Sequence, residues 1–427
     1  MLETIKNAFK TKEIRNKLLF VFFGLIIVRI GCNIPLPGVN TNVIQNLFDN
    51  NQALNFLDVM TGGSFTRMSI FALNITPYIT ASIIVQLLTI AIPRLEELQK
   101  DGEDGRKKIN EYTRYLSIVL ALIEGLAIVI GFRNQGFFTE SGYTSVIISV
   151  VALTAGAAFL MWLGEEITEK GIGNGISMVI MAGIVGRMPQ QFSSAWSSLI
   201  TGESAPTYGA WLFATYILVY LLIIIFVTLI NTAERRIPIQ YTSSSISLSK
   251  PSEANYLPLK VNSASVIPVI FASSLMMAPI QIASFFPSND FIKEMQKWLG
   301  LQTWYSLVIY VLLILFFTFF YTKMQINPEK VAENLGKSGS YIPSVRPGNE
   351  TKEYINRVLS RITVLGSVAL AIIAVMPHIM PLVWPDFPNS MALGGTGMII
   401  VVGVAIETVR QVQGLITQKS YKKYYED

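Results

Sequence analysis

Seven stretches of this 427-residue chain run for 20 to 30 residues without an Asp, Glu, Lys or Arg. A helix that crosses a bilayer needs about 20 consecutive, mostly apolar residues, so each stretch is long enough to span a membrane. Of all residues, 51% are hydrophobic and only 14% are charged, whereas a soluble domain carries about 25% charged residues. The sequence therefore predicts a polytopic membrane protein. The stretches cover residues 68–93, 141–164, 204–233, 261–289, 298–322, 362–385 and 387–406.

The distribution of basic residues predicts the orientation of the chain. The termini and the loops expected on one side of the membrane hold 26 of the 33 Lys and Arg residues, and the opposite side holds 5. Lys and Arg accumulate on the cytoplasmic side of membrane proteins, so both termini are expected to be cytoplasmic. The ten predicted spans are 18–34, 69–92, 115–132, 144–163, 172–188, 209–231, 263–286, 303–322, 362–384 and 393–416.

Ten spans divide into two halves of five. An odd number of spans in each half inverts one half relative to the other, an arrangement found in many transport proteins. The larger cytoplasmic loops, 232–262 and 323–361, are each too short to hold an independent core. The predicted organisation is a cytoplasmic amphipathic helix at 1–17, an N-terminal half at 18–188, an external hinge linker at 189–208, a C-terminal half at 209–416 and a cytoplasmic tail at 417–427.

Few ionisable side chains lie inside the predicted spans. Glu124 is the only carboxylate deep in a span, and for it a functional role and a structural hydrogen bond are both open. The other four lie closer to the ends of their spans, where they are expected to pair or to reach the interface. These four are Arg29, His378, Glu407 and Arg410.

The chain offers little for catalysis or metal binding. It carries one cysteine, Cys32, and one histidine, which excludes a disulfide framework and any site built from several cysteines or two histidines. It has no HExxH motif, no GxSxG motif with a partner and no GxxxxGK[ST] loop for nucleotide phosphates. We therefore expect neither enzymatic activity nor a cofactor.

One apolar segment is interrupted in an unusual way. Residues 57–68 place a glycine pair, Gly62 and Gly63, and a charge, Arg67, inside what would otherwise be an overlong helix. Non-helical backbone at membrane depth is tolerated only where it is buried in protein or lines a cavity. A short half-helix that folds back from the outside fits this pattern, and an exposed surface loop is the alternative. Pro77 is expected to kink the helix that follows.

Five long motifs, in order along the chain, closely resemble the SecY family, the channel subunits of the bacterial protein translocon. The resemblance implies an all-α membrane protein with ten helices in two inverted five-helix halves around a central hourglass pore, closed by a plug half-helix at 57–70. It implies a protein-conducting channel in the bacterial cytoplasmic membrane, which passes unfolded preproteins across and releases hydrophobic segments laterally into lipid. The motifs are TGGSFTRMSIFALNITPYITASIIVQLL, QKDGEDGRKKINEYTRY, MWLGEEITEKGIGNGISMVIMAGIV, LPLKVNSASVIPVIFASS and IPSVRPGNET.

The resemblance also assigns roles to residues. Branched apolar side chains at a narrow constriction exclude water, and they yield around a chain of any sequence. The implied constriction ring is Ile75, Ile79, Ile176, Ile180, Ile270 and Ile400, with Ile399 as an alternative to the last. The implied plug residues are Gly62, Gly63, Ser64 and Arg67, and those of the lateral gate are Thr80, Glu124, Ser274 and Ala278. The implied docking residues for the SecA motor or the ribosome are Arg346, Arg235, Arg236 and Lys250.

The partners implied are the small subunits SecE and SecG, the SecA motor ATPase, the ribosome, signal sequences, unfolded or nascent preproteins, and membrane lipid. Loop 242–256 departs from the family pattern because Lys250 is its only basic residue, which weakens the expectation that it binds ribosomal phosphates.

Two other classes of protein fit parts of the sequence. The topology alone permits a small-solute secondary transporter with inverted repeats, but the scarcity of charges near the midplane favours the channel. A scaffold that only assembles other subunits would not need a ring of isoleucines.

Overall fold

The computed structural model describes residues 9–40, 58, 61–133, 138, 142–201, 207–241, 256–283, 294, 298–300, 303–383 and 389–426. Ten long helices and two short ones fill most of these residues. The long helices are α1 (Lys12–Gly31), α2 (Thr76–Ala91), α4 (Glu103–Arg133), α5 (Tyr143–Lys170), α6 (Gly175–Trp196), α7 (Gly209–Thr232), α8 (Ile267–Ala283), α9 (Trp304–Gln325), α11 (Asn349–Val383) and α12 (Asn389–Glu426). The short helices are α3 (Pro93–Lys100) and α10 (Pro328–Lys337).

Each predicted span corresponds to one long helix. Six helices, α4, α5, α7, α9, α11 and α12, contain segments long and apolar enough to cross a bilayer unaided. The pair α2 and α3 adds a seventh if it counts as one span, although the two helices meet at a bend of 106°. The apolar part of α8 is shorter than a membrane span. The apolar stretch of α1 is interrupted by Arg29, and that of α6 by Arg187.

The second span starts later than predicted. Residues 61–75 form successive turns, so the half-helix expected across 57–70 is not found at 61–70. Helix α2 begins only at Thr76, and Pro77 lies in its first turn. A proline there has no hydrogen-bond donor to lose and its φ already suits a helix. Pro77 therefore starts the helix, and the predicted kink is wrong.

The long helices pack as two groups of five. In the first group, α1 packs on α5 and α6, α2 on α4, α4 on α5, and α5 on α6. In the second, α8 packs on α9, α9 on α11, α11 on α12, and α7 on both α11 and α12. Two seams join the groups. Helix α8 lies against α2 and α4 at one seam, and α12 lies against α6 and α1 at the other.

The two larger loops, which the charge bias assigns to the cytoplasmic side, form a small core together. Strand β1 (Glu234–Pro238) pairs antiparallel with β3 (Tyr256–Lys260), and β2 (Gln240–Tyr241) pairs with β4 (Ser340–Tyr341). Apolar residues of β1, β3 and the β4 loop pack against the start of α11, where Ile355 is fully buried. Neither loop was expected to hold a core alone, and the structure agrees because the core is shared between them.

Exposed aromatic residues mark one edge of the helical bundle. Tyr143 begins α5, Trp196 ends α6, Tyr208 and Trp211 lie at the start of α7, and Trp304 begins α9. Trp and Tyr concentrate where a membrane meets water. All five lie on the side that the charge distribution assigns to the exterior.

Candidate functional site

The segment between α1 and α2 folds back into the helix bundle. The backbone amide of Leu36 donates to the Met68 carbonyl at 2.9 Å, and the amide of Ile70 donates to the Ile34 carbonyl at 3.0 Å. Phe65 and Met68 are almost completely buried. The segment therefore fills space inside the protein, and the alternative of an exposed surface loop is wrong for residues 61–66 and 68–70.

Hydrogen bonds hold the tight turns of this segment. The Ser64 hydroxyl donates to the Thr61 carbonyl at 2.8 Å and lies 3.1 Å from the Phe71 carbonyl. The backbone amide of Thr66 donates to Oδ1 of Asp58 at 2.7 Å. Arg67, the exposed member of the segment, bonds to the Asn33 side chain just after α1. Buried backbone turns need such partners because an unpaired polar group inside the protein is costly.

Gly62 lies in direct backbone contact with α6. Its φ of +72° is in the left-handed region that glycine adopts readily. A Cβ built on Gly62 would lie 2.6 Å from the α-carbon of Gly183. The contact therefore requires glycine both for the backbone conformation and for the close approach of the two chains.

Charged side chains also connect the segment to its neighbours. An Arg187 Nη2 atom on α6 lies 2.5 Å from Oδ2 of Asp58, whose side chain is fully buried. Arg29 of α1 donates to the Gly62 carbonyl at 3.1 Å and to the Gly186 carbonyl at 3.2 Å. Sequence reasoning expected Arg29 to find a partner, and it does. It missed Asp58 and Arg187, although an acid in this charge-poor segment and an arginine on the predicted outer side were available signals.

The ring isoleucines lie on the helices that form the two seams. Ile79 is on α2 and Ile270 on α8, while Ile176 and Ile180 are on α6 and Ile400 on α12. Ile75 directly precedes α2. Ile75, Ile180, Ile270 and Ile400 are buried, as is Ile399, and Ile79 and Ile176 are half-buried against the same continuous apolar cluster. Ile176 also packs against Gly164 of α5.

The predicted gate residues lie on three helices that meet at the first seam. Thr80 is half-buried on α2, where its hydroxyl donates to the Thr76 carbonyl at 3.1 Å. Ser274 and Ala278 are half-buried on α8, the helix that packs on both α2 and α4. Glu124 is buried on α4, and its Oε2 atom has no hydrogen-bond partner among the described residues. The structure thus brings the helices of all four residues together, with a carboxyl group inside the packing.

The described docking residues lie on strand β1 and in the loop before α11. The Arg346 side chain is 87% exposed and lies 3.9 Å from Glu350. Arg235 and Arg236 are exposed on β1, and Arg236 bonds Glu234 at 2.7 Å and stacks over Tyr256. The hydrogen bond with Glu234 raises the pKa of the Arg236 guanidinium above its ordinary value. Lys250 lies outside the described residues.

Comparison with known proteins identifies relatives over the whole chain. The SecY family model matches residues 69–409. "Protein translocase subunit SecY" of Staphylococcus carnosus (strain TM300) is 42% identical over 433 residues, which cover 99% of each chain.

Solved structures share the fold at lower identity. A protein-conducting channel superimposes with a TM-score of 0.65 at 18% identity, over 93% of this chain and 91% of that chain. Sec61 in a canine ribosome-channel complex from the endoplasmic reticulum superimposes with a TM-score of 0.61 at 18% identity over the same shares.

Labelling of the single cysteine can report whether residues 61–70 are packed against α6. Cys32 is buried, and its thiol contacts the Ser64 hydroxyl. We expect Gly62→Ala to push the segment away from α6 and to increase the rate at which a membrane-impermeant maleimide labels Cys32 by about tenfold, which corresponds to about 1.4 kcal/mol of seating free energy. The readout is the labelled fraction over time in intact cells.

Gly38→Ala is the matched control, because Gly38 also has positive φ but a Cβ there meets no other atom within 4 Å. Equal labelling rates in Gly62→Ala and Gly38→Ala would contradict the proposed contact between Gly62 and α6.

Proposed function

The chain belongs to the SecY family of protein translocase subunits, and from this premise we propose how it conducts protein. It is a channel subunit and not an enzyme. Unfolded preproteins cross the membrane between its two helical groups, through a constriction lined by Ile75, Ile79, Ile176, Ile180, Ile270 and Ile400. Residues 57–70 act as a plug that closes the outer side of this path when no chain is present.

The observation that carries this proposal is the place of the six isoleucines in the fold. Five lie on α2, α6, α8 and α12 and the sixth directly precedes α2, and these helices contribute to both seams between the halves. Separation of the halves would draw these side chains apart and leave an apolar aperture between them. Such an aperture makes no specific hydrogen bonds, so it tolerates any passing sequence, and when narrow it excludes water and ions.

A solute carrier is not favoured. Such a carrier binds its solute and coupling ion through polar or charged groups near the midplane. Within the described part of the spans, Glu124 is the one carboxylate deep in a span, and its helix α4 packs against α8.

The seam between α2 and α4 on one side and α8 on the other serves as the lateral gate. Hydrophobic signal sequences pass there into lipid and gain about 25 cal/mol for each Å2 of apolar surface removed from water. Thr80, Glu124, Ser274 and Ala278 line this route. Residues 189–208, of which 189–196 form the end of α6, act as the hinge between the halves.

Partners supply the energy and complete the complex. The exposed Arg346, together with Arg235 and Arg236, forms the surface on which the SecA motor or a ribosome docks; a ribosome is bound by the Sec61 relative. SecE and SecG complete the complex. The protein resides in the bacterial cytoplasmic membrane with both termini in the cytoplasm, as the excess of basic residues on that side supports.

A disulfide crosslink tests the path of the preprotein. We expect Ile270→Cys, in a Cys32→Ser background, to form a disulfide with a cysteine placed in the translocating part of a stalled preprotein, because Ile270 lies on the constriction. The matched control is Ile225→Cys, whose position on α7 is 53% exposed on the outer surface of the helix bundle. Crosslinking of both or neither position in a functional membrane would count against this path, and solute uptake driven by an ion gradient would favour the carrier.

Glu124 tests the gate. Glu124→Leu replaces a buried carboxyl group, whose Oε2 atom has no hydrogen-bond partner among the described residues, with an apolar side chain. Loss of such an unpaired polar atom stabilises the closed packing by about 1–3 kcal/mol. We expect export of preproteins with defective signal sequences to fall about tenfold, while Glu124→Gln stays near the wild type. Export is measured as the fraction of preprotein protected from protease. Unchanged export of defective signals in Glu124→Leu would argue against a gating role.

Arg346 tests the docking surface. Its side chain is 87% exposed, so Arg346→Ala should leave the fold intact while weakening the binding of SecA or ribosomes about tenfold, as expected when a charge-assisted contact is lost. Lys337→Ala is the control, because Lys337 is a similarly exposed cation that pairs with Glu333 on α10. Binding affinity is measured on membranes that contain each variant, and equal affinity for both would remove Arg346 from this surface.

A further inference from the structure

Arginines on the outer side of the protein gather around one segment. Cations are sparse on that side, where the predicted loops hold 5 of the 33 basic residues. Yet Arg29, near the outer end of α1, and Arg187 on α6 both contact the plug segment. Cations on the non-cytoplasmic side oppose the charge bias that orients the chain. The presence of two arginines beside the plug segment therefore needs a physical reason.

Asp58 supplies the compensating negative charge. Its side chain is fully buried, and Arg187, with a side chain that is 17% exposed, lies 2.5 Å away. Oδ2 of Asp58 accepts no well-aligned hydrogen bond within the described residues, so the contact with Arg187 is an ion pair held by charge. Oδ1 of Asp58 is separately engaged by the Thr66 amide. The Asp58 carboxylate thus binds the backbone of the plug through one oxygen and the guanidinium of Arg187 on α6 through the other.

Arg29 joins the same two elements from the other side. Its guanidinium bridges the carbonyls of Gly62 in the plug and Gly186 in α6. The ion pair and this bridge, together with the contact of Gly62 on Gly183, fasten the plug to α1 and α6. Both helices belong to the first helical group.

We propose that Asp58, Arg187 and Arg29 are positioning residues that latch the plug to the first helical group, so that the plug leaves the pore only when this buried ion pair is broken. This inference rests on the proposed function, because it assumes that residues 57–70 close the path.

The latch separates two movements. Opening of the seam between α8 and the pair α2 and α4 moves the groups apart, but the plug remains attached to α1 and α6. Release of the plug exposes Asp58 and Arg187 to water or leaves each without a partner, and breaking a buried pair is strongly unfavourable. A signal sequence in the gate therefore does not by itself unseal the channel.

Neutralising either partner tests the latch. Asp58→Asn keeps an oxygen for the Thr66 amide and removes only the charge that faces Arg187, while Arg187→Met keeps the apolar stem and removes the guanidinium. We expect each variant to raise the resting ion flux of the reconstituted translocon about tenfold. The rate at which the maleimide labels Cys32 should increase as well. The double variant should leak no more than either single variant, because the pair is already broken in each.

The matched control is Arg133→Gln. Arg133 lies at the outer end of α4 and stacks on Tyr143, away from the plug, so its loss should leave flux at the wild-type level. Wild-type flux in both single variants would overturn the latch. A flux in the double variant equal to the product of the two single-variant increases would overturn it as well. Free-energy changes of independent residues add, so such a product would mean that Asp58 and Arg187 do not act as a pair. If Asp58→Asn does not accumulate, Arg187→Met and Arg29→Met carry the same test.

The same vesicles separate the latch from the proposed function. Preprotein import is measured with SecA and ATP beside the ion flux. Import by Asp58→Asn vesicles without a raised leak would mean that the latch is wrong while the channel stands. Absence of import by wild-type vesicles would overturn the proposed function itself.

Discussion

A chain within a bilayer must pair its backbone polar groups internally, because lipid offers no hydrogen bonds. Most of this chain meets that demand with helices. The segment from Thr61 to Ile75 does not, and its turns are paired instead by Ser64, by the Asp58 carboxylate and by the strand-like contact with residues 34–36. Irregular backbone is affordable only in the centre of the bundle, so the same constraint that builds the helices also places the plug between them.

The charges follow from this arrangement. An arginine on the side assigned to the exterior opposes the charge bias that orients the chain. A buried carboxylate loses its contacts with water, which costs free energy. Asp58 and Arg187 satisfy each other, and Arg29 uses two backbone carbonyls. A comparable solution appears at the opposite end of the bundle, where Arg410 of α12 donates to the Asn231 carbonyl of α7 at 2.6 Å, and the Asn231 side chain accepts from Asn262. Polar contacts thus connect the ends of helices, while apolar side chains fill the seams between the two groups.

Particular elements show how far sequence reasoning reached. The ten spans were recoverable because charged residues mark their ends. The start of the second span was placed at 69 because residues 69–75 are as apolar as a helix, whereas the structure begins α2 at Thr76. Hydropathy reports the surroundings of a residue but not its backbone conformation. The left-handed φ angles of Met68 and Asn74 are set by contacts that no local pattern contains.

The sequence by itself determined the class of protein, the number of spans, the charge bias and the family, because these depend on composition along the chain and on long ordered motifs. Only the tertiary structure decided which residues hold the plug. Asp58 and Arg187 are separated by more than a hundred residues, and their pairing depends on how the 61–75 turns lie against α6. The isoleucines that the resemblance assigns to the constriction differ from other isoleucines in the same way: they belong to helices that meet at the two seams, which residue type alone does not reveal.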